Sequence, residues 1–149
     1  MKKLLLICVI IASIAPIKSQ DVRQNPSNTV YVSFSPVDLG VGLRYDRQFK
    51  NTGVYTAMSY GNYDFVGGYI NDHIKIALGG ISYIGTAFLT FGGSYHYYGE
   101  YKIPTGMSIR TLKSLSYELG VGNVFNNVQV AFRMDVYKYE STLEIGIKF

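Results

Sequence analysis

Residues 141–149 read S-T-L-E-I-G-I-K-F, a stretch in which apolar and polar side chains alternate without a break. Successive side chains of an extended strand point to opposite faces. One face of this stretch carries Leu143, Ile145, Ile147 and Phe149. The sequence therefore predicts a β-strand with one apolar and one polar face, ending on an aromatic residue.

The same period of two recurs along the chain, and no segment shows the 3.6-residue period of an amphipathic helix. The predicted strands are residues 29–35, 39–49, 54–61, 73–82, 86–97, 115–122, 127–136 and 142–149. The links over residues 50–53, 83–85 and 123–126 are short, whereas those over residues 62–72 and 98–114 are long. Residues 50–53 (K-N-T-G) fit a type I turn followed by a glycine bulge. Short turns at one end and longer loops at the other are typical of transmembrane barrels.

The N-terminus has the layout of a secretory signal peptide. Lys2 and Lys3 precede an apolar run over residues 4–14, and small or polar residues follow as far as Gln20. The run is shorter than the about 20 residues that a membrane-spanning helix needs. We therefore predict a signal peptide over residues 1–20 and one domain over residues 21–149. Cys8, the single cysteine, lies in the predicted signal peptide, so the mature domain should have no cysteine-based metal site.

The net charge of the predicted domain argues against a nucleic-acid partner. The whole chain has a formal net charge of +4, but Lys2, Lys3 and Lys18 lie in the predicted signal peptide. The other 11 basic residues nearly balance the 10 acidic ones. No basic excess therefore remains in the domain to attract phosphate groups.

The polar face of the predicted strands is rich in glycine. Glycine would not stabilise a solvent-exposed strand face, whereas a crowded barrel interior requires small residues. The polar face also carries equal numbers of basic and acidic residues: Arg44, Lys75, Arg133 and Lys148, with Asp46, Glu118, Asp135 and Glu144. We predict that these form an ion-pair network in the lumen. If the last two strands pair around residues 138–140, Arg133 comes opposite Glu144, with Glu118 as a diagonal partner.

The apolar face is then the exterior. Its one charge, Arg47, lies near a strand end, where arginine in a membrane barrel costs about 0 to 1 kcal/mol instead of about 2 to 4 at mid-membrane. Aromatic residues fall near the predicted strand ends, as in the girdles of membrane barrels. The predicted girdle comprises Phe49, Tyr60, Tyr95, Tyr97 and Tyr137, with Tyr83, Phe125 and Phe149 at the short-turn end and Phe34 at the other.

In its signal peptide, strand count and terminal aromatic, the chain resembles the small eight-stranded outer-membrane β-barrels of the OmpA/OmpX type. The resemblance implies an all-β, eight-stranded antiparallel up-and-down transmembrane β-barrel with a filled interior. It also implies export through the periplasm to the outer membrane, contact with outer-membrane lipid and a monomeric state. In that family the barrel-assembly machinery reads the last strand, here through Leu143, Ile145, Ile147 and Phe149.

Catalytic and metal-binding residues are not predicted. Ser94 and His96 lie on one face of a strand and Glu100 follows, but a serine and a histidine two residues apart coincide often. His73, beside Asp72 at the mouth of the fourth predicted strand, fits a loop residue better than a metal ligand. The sequence predicts no cofactor.

Three classes of function remain open. The first is a non-enzymatic outer-membrane protein that contributes to envelope structure, or to surface interaction through loops 62–72 and 98–114. The second is a lipid A-modifying acyl enzyme. The third is a soluble periplasmic lipid-binding barrel with its apolar face inward.

Overall fold

A computed structural model describes residues 27–36, 39–63, 71–99, 101–102, 108–109, 112–138 and 140–149. The predicted signal peptide lies outside these residues. The strands are β1 (Ser27–Ser35), β2 (Gly40–Phe49), β3 (Thr52–Tyr63), β4 (Asn71–Ile84), β5 (Ala87–Tyr98), β6 (Tyr101–Lys102), β7 (Ser108–Ile109), β8 (Leu112–Phe125), β9 (Val128–Asp135) and β10 (Ser141–Lys148). Each of the eight predicted segments is a strand, with ends that differ by a few residues.

Eight of these strands form a closed antiparallel barrel in the order β1-β10-β9-β8-β5-β4-β3-β2. The wall is closed by β1 and β10, which pair from Thr29 opposite Lys148 to Phe34 opposite Leu143. Beyond the ladder, the backbone N–H groups of Asn28 and Phe149 each donate to the other residue's carbonyl oxygen, at 2.9 Å. The predicted fold class, an eight-stranded up-and-down barrel, is confirmed.

The strands β6 and β7 form a separate two-stranded hairpin, with Tyr101 opposite Ile109. This hairpin falls within residues 98–114, for which the sequence predicted a loop. Strands of two residues are too short to produce a period-two pattern, so their sequence carried no signal.

Three tight turns lie at one end of the barrel, here called the turn end; the opposite end is called the loop end. The turns are Lys50–Asn51, Gly85–Thr86 and Asn126–Asn127, and their first residues have φ of 53°, 62° and 57°. A positive φ at the first central position suits the strand twist of two-residue hairpins. The predicted glycine bulge is wrong, because Gly53 pairs with Gln48 inside the ladder and Lys50 takes the left-handed conformation.

Polarity across the barrel wall is the reverse of that in a soluble protein. Leu78 is 69% exposed and Leu115 is 78% exposed on the outside, whereas Arg44 is 1% and Glu144 0% exposed on the inside. The alternation therefore places apolar side chains outward and polar ones inward, as predicted. Among the described residues, no helix is long and apolar enough to cross a membrane.

Aromatic rings fill part of the interior, and glycines on the inner face make room for them. A Cβ atom built on Gly146 would lie 2.5 Å from Cδ1 of Tyr31, and one on Gly122 would collide with the Phe88 ring. Tyr83 is also buried and its ring lies 5.4 Å from that of Phe88, centroid to centroid. Its predicted place in the girdle is wrong, because β4 continues to Ile84 and its alternation turns Tyr83 inward.

Candidate functional site

Six of the predicted lumen charges form one alternating chain across the middle of the barrel. In spatial order the chain runs Asp46, Arg44, Glu144, Arg133, Glu118 and Lys75. All six side chains are buried. Three acids alternate with three bases, so each charge lies against an opposite one. This arrangement offsets the cost of removing charges from water, which is several kcal/mol for each unpaired ion.

Arg44 has contacts on every side of its guanidinium group. Its Nε and Nη2 atoms donate to the two carboxylate oxygens of Asp46, each at 2.6 Å, and Nη1 donates to Glu144 Oε2 at 2.6 Å. Its Cζ atom lies 4.6 Å from the ring centroid of Tyr31 and 4.7 Å from that of Tyr55. Planar, bidentate and ring-stacked contacts of this kind are specific to arginine, and lysine could not replace them.

Arg133 joins the two acids that follow in the chain. Its Nη2 atom lies 2.5 Å from Glu144 Oε1, and its Nη1 atom lies 2.7 Å from Glu118 Oε2. The predicted register was wrong: Arg133 pairs with Thr142, and Glu144 pairs with Ala131. The link between β9 and β10 spans residues 136–140 instead of 138–140, which shifts the pairing. Arg133 therefore reaches Glu144 diagonally across the ladder.

The two remaining predicted network residues lie toward the ends of the lumen. Lys148 lies toward the turn end, where its Nζ atom donates to Gln48 Oε1 at 2.9 Å. Asp135 lies toward the loop end, and its carboxylate accepts hydrogen bonds from His96, Ser94 and Ser116. The structure thus does not bring Asp135 into the chain formed by the other charges.

Asp135 also stabilises the link between β9 and β10. Its Oδ1 atom accepts hydrogen bonds from the backbone N–H groups of Tyr137, at 3.1 Å, and Lys138, at 3.0 Å. Its Oδ2 atom faces His96 Nε2 at 2.8 Å. One carboxylate therefore connects the loop-end backbone to a histidine inside the lumen.

Both histidines of the chain lie in the lumen next to each other. His73 lies in β4 and His96 in β5, and both are buried. His73 Nε2 lies 2.9 Å from His96 Nδ1. His73 was predicted at the mouth of the fourth strand, with the character of a loop residue; it instead lies inside β4, which begins two residues earlier, at Asn71, and it is buried.

The residues considered for catalysis do not have the arrangement of a nucleophilic triad. Ser94 Oγ lies 3.0 Å from His96 Nε2, and Asp135 Oδ2 lies 2.8 Å from the same nitrogen. In a triad the serine and the carboxylate contact different ring nitrogens, so that the histidine can take the serine proton while the acid holds the ring. Here they share Nε2, and Ser94 itself donates to Asp135 at 2.8 Å. Glu100 lies outside the described residues.

Several solved structures share this eight-stranded barrel fold. No protein-family model matches the chain, and no curated protein matches it. The chain is similar to Ail, the attachment invasion locus protein of Yersinia pestis, solved in complex with the heparin analogue sucrose octasulfate. That match has 19% identity and a TM-score of 0.52, and it covers 83% of this chain and 96% of that one. A second structure of Ail, in a phospholipid bilayer nanodisc, has 14% identity and a TM-score of 0.57, with 84% and 100% covered.

The N-terminal β-barrel domain of OprF from Pseudomonas aeruginosa is similar as well. It has 17% identity and a TM-score of 0.56, and the match covers 85% of this chain and 98% of that domain. The fold is that of a small outer-membrane β-barrel. The predicted resemblance is thus confirmed at the level of the fold.

In this outer-membrane barrel fold, the residues predicted for the girdle face outward with the exception of Tyr83, and the residues predicted for the assembly signal face outward as well. Phe49 lies at the turn end, and Tyr60, Tyr95, Tyr97 and Tyr137 lie toward the loop end; all five are exposed. The outward face of β10 exposes Leu143, Ile145 and Ile147, and Phe149 is exposed directly after the strand. Arg47 donates to Asn28 Oδ1 at 2.8 Å, and its Cζ atom lies 5.9 Å from the Phe49 ring centroid. The exterior charge is thus hydrogen-bonded at the turn end.

Proposed function

We propose that the protein is a non-enzymatic integral outer-membrane protein whose filled barrel is a rigid support for its loop-end segments. Through those segments it contributes to envelope structure or to interactions at the cell surface. The observation that carries this proposal is the distribution of polarity: a continuous apolar exterior surrounds a lumen of paired charges, tyrosine rings and glycine.

The apolar exterior supports residence in a lipid bilayer. Large apolar side chains such as Val32, Leu43 and Ile145 are exposed on the wall, and soluble monomers rarely expose apolar patches beyond a few hundred Å². A soluble lipid carrier would require the opposite arrangement, with apolar side chains inside and polar ones outside. That alternative is contradicted by the burial of Arg44, Glu144 and their partners.

The site geometry also argues against the lipid-modifying enzyme. Ser94 and His96 are both buried, and the carboxylate that could orient the histidine occupies the nitrogen that the serine would need. A long-chain acyl donor would have to enter a lumen filled by side chains. Replacing Ser94 by alanine should leave the lipid A acylation pattern of the cells unchanged. If Ser94 were a catalytic nucleophile, the same replacement would abolish the modification.

The closed wall supports a monomer. Each wall strand pairs with two neighbours, so the described part of the barrel leaves no strand edge on which a second copy could add. We further propose that the barrel-assembly machinery recognises β10 and the residue that follows it, through the outward side chains of Leu143, Ile145, Ile147 and Phe149. The surface partner, if the loops bind one, should contact residues 62–72 and 98–114.

Membrane fractionation combined with heat-dependent gel mobility tests the proposed location. The protein should remain with the outer membrane after a carbonate wash, and unboiled samples should migrate differently from boiled ones, because a closed barrel resists detergent until it is heated. A matched sample with Gly92 replaced by arginine, which could not fit inside the wall, should lose the difference between boiled and unboiled samples. Recovery of the unmodified protein in the soluble periplasmic fraction would contradict the proposal.

A further inference from the structure

The side chains of His73, His96 and Glu140 converge at the loop end of the lumen, on three different elements. His73 and His96 belong to the adjacent strands β4 and β5, and Glu140 immediately precedes β10. All three are buried. The chain contains only two histidines, and the fold brings both of them, with one carboxylate, to a single point.

The distances among these groups suit a shared ligand. His73 Nε2 lies 2.9 Å from His96 Nδ1, and His96 Nδ1 lies 3.8 Å from Glu140 Oε2. One donor atom from each of the three residues lies within 4.8 Å of the other two. The three potential donors therefore surround a common point.

The contacts of His96 determine which of its nitrogens is available. Its Nε2 atom lies 2.8 Å from Asp135 Oδ2, and an ionised carboxylate can only accept a hydrogen bond. In its neutral form, His96 therefore carries its proton on Nε2, and Nδ1 presents its lone pair to His73 and Glu140. A metal-binding histidine whose second nitrogen donates to a carboxylate is the usual arrangement in metalloproteins, because that bond fixes the tautomer and increases the basicity of the ligand.

We propose that His73 Nε2, His96 Nδ1 and a carboxylate oxygen of Glu140 bind one divalent transition-metal ion, with zinc the best match. Two imidazoles and one carboxylate are a known zinc donor set, completed by a water molecule. Calcium and magnesium prefer oxygen ligands, and two nitrogens among three donors disfavour both.

The local charge is suited to a cation. The carboxylates of Glu140 and Asp135 approach His96 from its two nitrogens. Lys75 lies opposite His96 in the ladder, but its ammonium group is directed to Glu118, with 2.5 Å between Nζ and Oε1. Two negative groups therefore offset the two positive charges of the metal, and the nearby lysine is already paired.

Metal binding requires both histidine rings to move. Without metal, the 2.9 Å contact between the histidines is a hydrogen bond in which His73 Nε2 donates to His96 Nδ1. That proton must move to Nδ1 of His73 or to solvent when the metal takes its place. Two nitrogens at about 2.0 to 2.1 Å from a tetrahedral zinc ion are about 3.3 Å apart, so the rings must separate by a few tenths of an ångström and tilt.

Nitrogen-15 NMR of the wild-type protein tests the proposal directly. The barrel, labelled at its histidine rings and carrying no polyhistidine tag, is refolded in detergent and titrated with zinc chloride. At one equivalent of zinc, the resonances of His73 Nε2 and His96 Nδ1 should shift, whereas His96 Nε2 should remain protonated. Ring resonances that do not move at one equivalent, or that move only in large excess, overturn the proposal.

Variants of the ligands give a second, independent measurement. Zinc affinity, measured by competition with a chromophoric chelator, should fall at least about tenfold in His73→Gln and in Glu140→Gln. Thr90→Val is the matched control, because Thr90 is a buried residue of β5 outside the cluster and valine preserves its shape. Each variant is first checked for the gel-mobility shift of a folded barrel. A folded His73→Gln protein with unchanged zinc affinity also overturns the proposal, and if a variant does not fold, the wild-type titration decides.

Discussion

Gly92 and Gly93 are adjacent in β5 but face opposite sides of the barrel wall. A Cβ atom on Gly92 would lie 2.5 Å from the Leu78 carbonyl oxygen and 2.9 Å from Gly79 Cα, whereas one on Gly93 would have its nearest contact at 3.8 Å, with the Ser116 carbonyl oxygen. Gly92→Ala should therefore lower the free energy of unfolding by about 1 to 3 kcal/mol, as overpacking does elsewhere. Gly93→Ala should leave it unchanged or raise it slightly. Urea unfolding of the refolded barrels measures both, and equal effects would contradict the inward and outward assignment.

Glu144 is the residue on which the charge chain depends most, because it lies between Arg44 and Arg133. Replacing Glu144 by glutamine removes the negative charge that two buried guanidinium groups share. Removing one partner of a buried ion pair costs about 3 to 5 kcal/mol. We expect Glu144→Gln to lower the free energy of unfolding by that amount. The chain has no Trp, so unfolding is followed by circular dichroism and by the gel-mobility shift.

Two comparisons separate a charge effect from a general packing effect at Glu144. Thr142→Val alters a buried residue two positions away on the same strand face and should change stability by less than the glutamine variant. Adding Arg133→Met to Glu144→Gln should recover part of the loss, because it removes one uncompensated cation. A double variant less stable than Glu144→Gln alone would show that the charges contribute little.

At the level of single residues, the sequence was informative about which side chains face inward and uninformative about which ones meet. The alternation along β2 was enough to place Arg44 and Asp46 in the lumen. The contact between Arg133 and Glu144 depends on strand register, and a loop of residues 136–140 shifted that register from the predicted one. Pairing across strands is set by loop geometry, which period-two patterns do not contain.

Among the elements, β10 is followed directly by Phe149, which combines two separable properties. The backbone of Phe149 is paired with Asn28, and its side chain is 69% exposed on the exterior. Phe149→Ala keeps the backbone hydrogen bonds but removes the aromatic group. We therefore expect this variant to refold in detergent at nearly the wild-type rate, while its assembly in cells, measured as the folded fraction in outer membranes, falls severalfold.

Deletion of Phe149 is the matched variant, because it removes both the aromatic group and the two backbone hydrogen bonds. It should reduce assembly in cells and also lower stability in detergent. If Phe149→Ala assembles in cells as well as the wild type, the proposal that the assembly machinery reads this side chain is wrong.

The eight wall strands were predictable because each is long enough for alternation to be visible, and because burial inside and lipid outside impose alternation along most of each strand. Turns were less predictable. Lys50 takes a positive φ that is unusual for lysine, since the two-residue hairpin requires that conformation whatever residue occupies it. The prediction for Tyr83 was wrong for a related reason, because β4 extends into residues 83–85, which were predicted to be a link.

For the whole molecule, the orientation in the membrane can be tested with cysteine, since the predicted mature domain has none. In the sequence, Thr105 falls between β6 and β7, outside the described residues, and Asn51 lies in a turn at the turn end of the barrel. A membrane-impermeant maleimide added to intact cells should label Thr105→Cys and should label Asn51→Cys only after the outer membrane is permeabilised. The reverse pattern would show that the barrel is inserted with its loops toward the periplasm.

The His73, His96 and Glu140 cluster shows the limit of sequence reasoning at this scale. The sequence places the three residues far apart in the chain, and each taken alone looks ordinary. The β4–β5 hairpin sets the two histidines side by side, and the closed barrel brings Glu140, at the end of the β9–β10 link, within reach of them. A search for histidines near the predicted ends of the barrel strands would have suggested this cluster.

The pairing of β1 with β10 has a consequence for how the protein is made. The first wall strand obtains its second neighbour only when the last wall strand is present, so the wall cannot close before β10 has been synthesised. A product of premature termination that lacks β10 would expose two open strand edges, which are prone to pair with other chains. Such truncated chains should therefore be substrates for periplasmic proteases and chaperones, because barrel closure requires all eight wall strands.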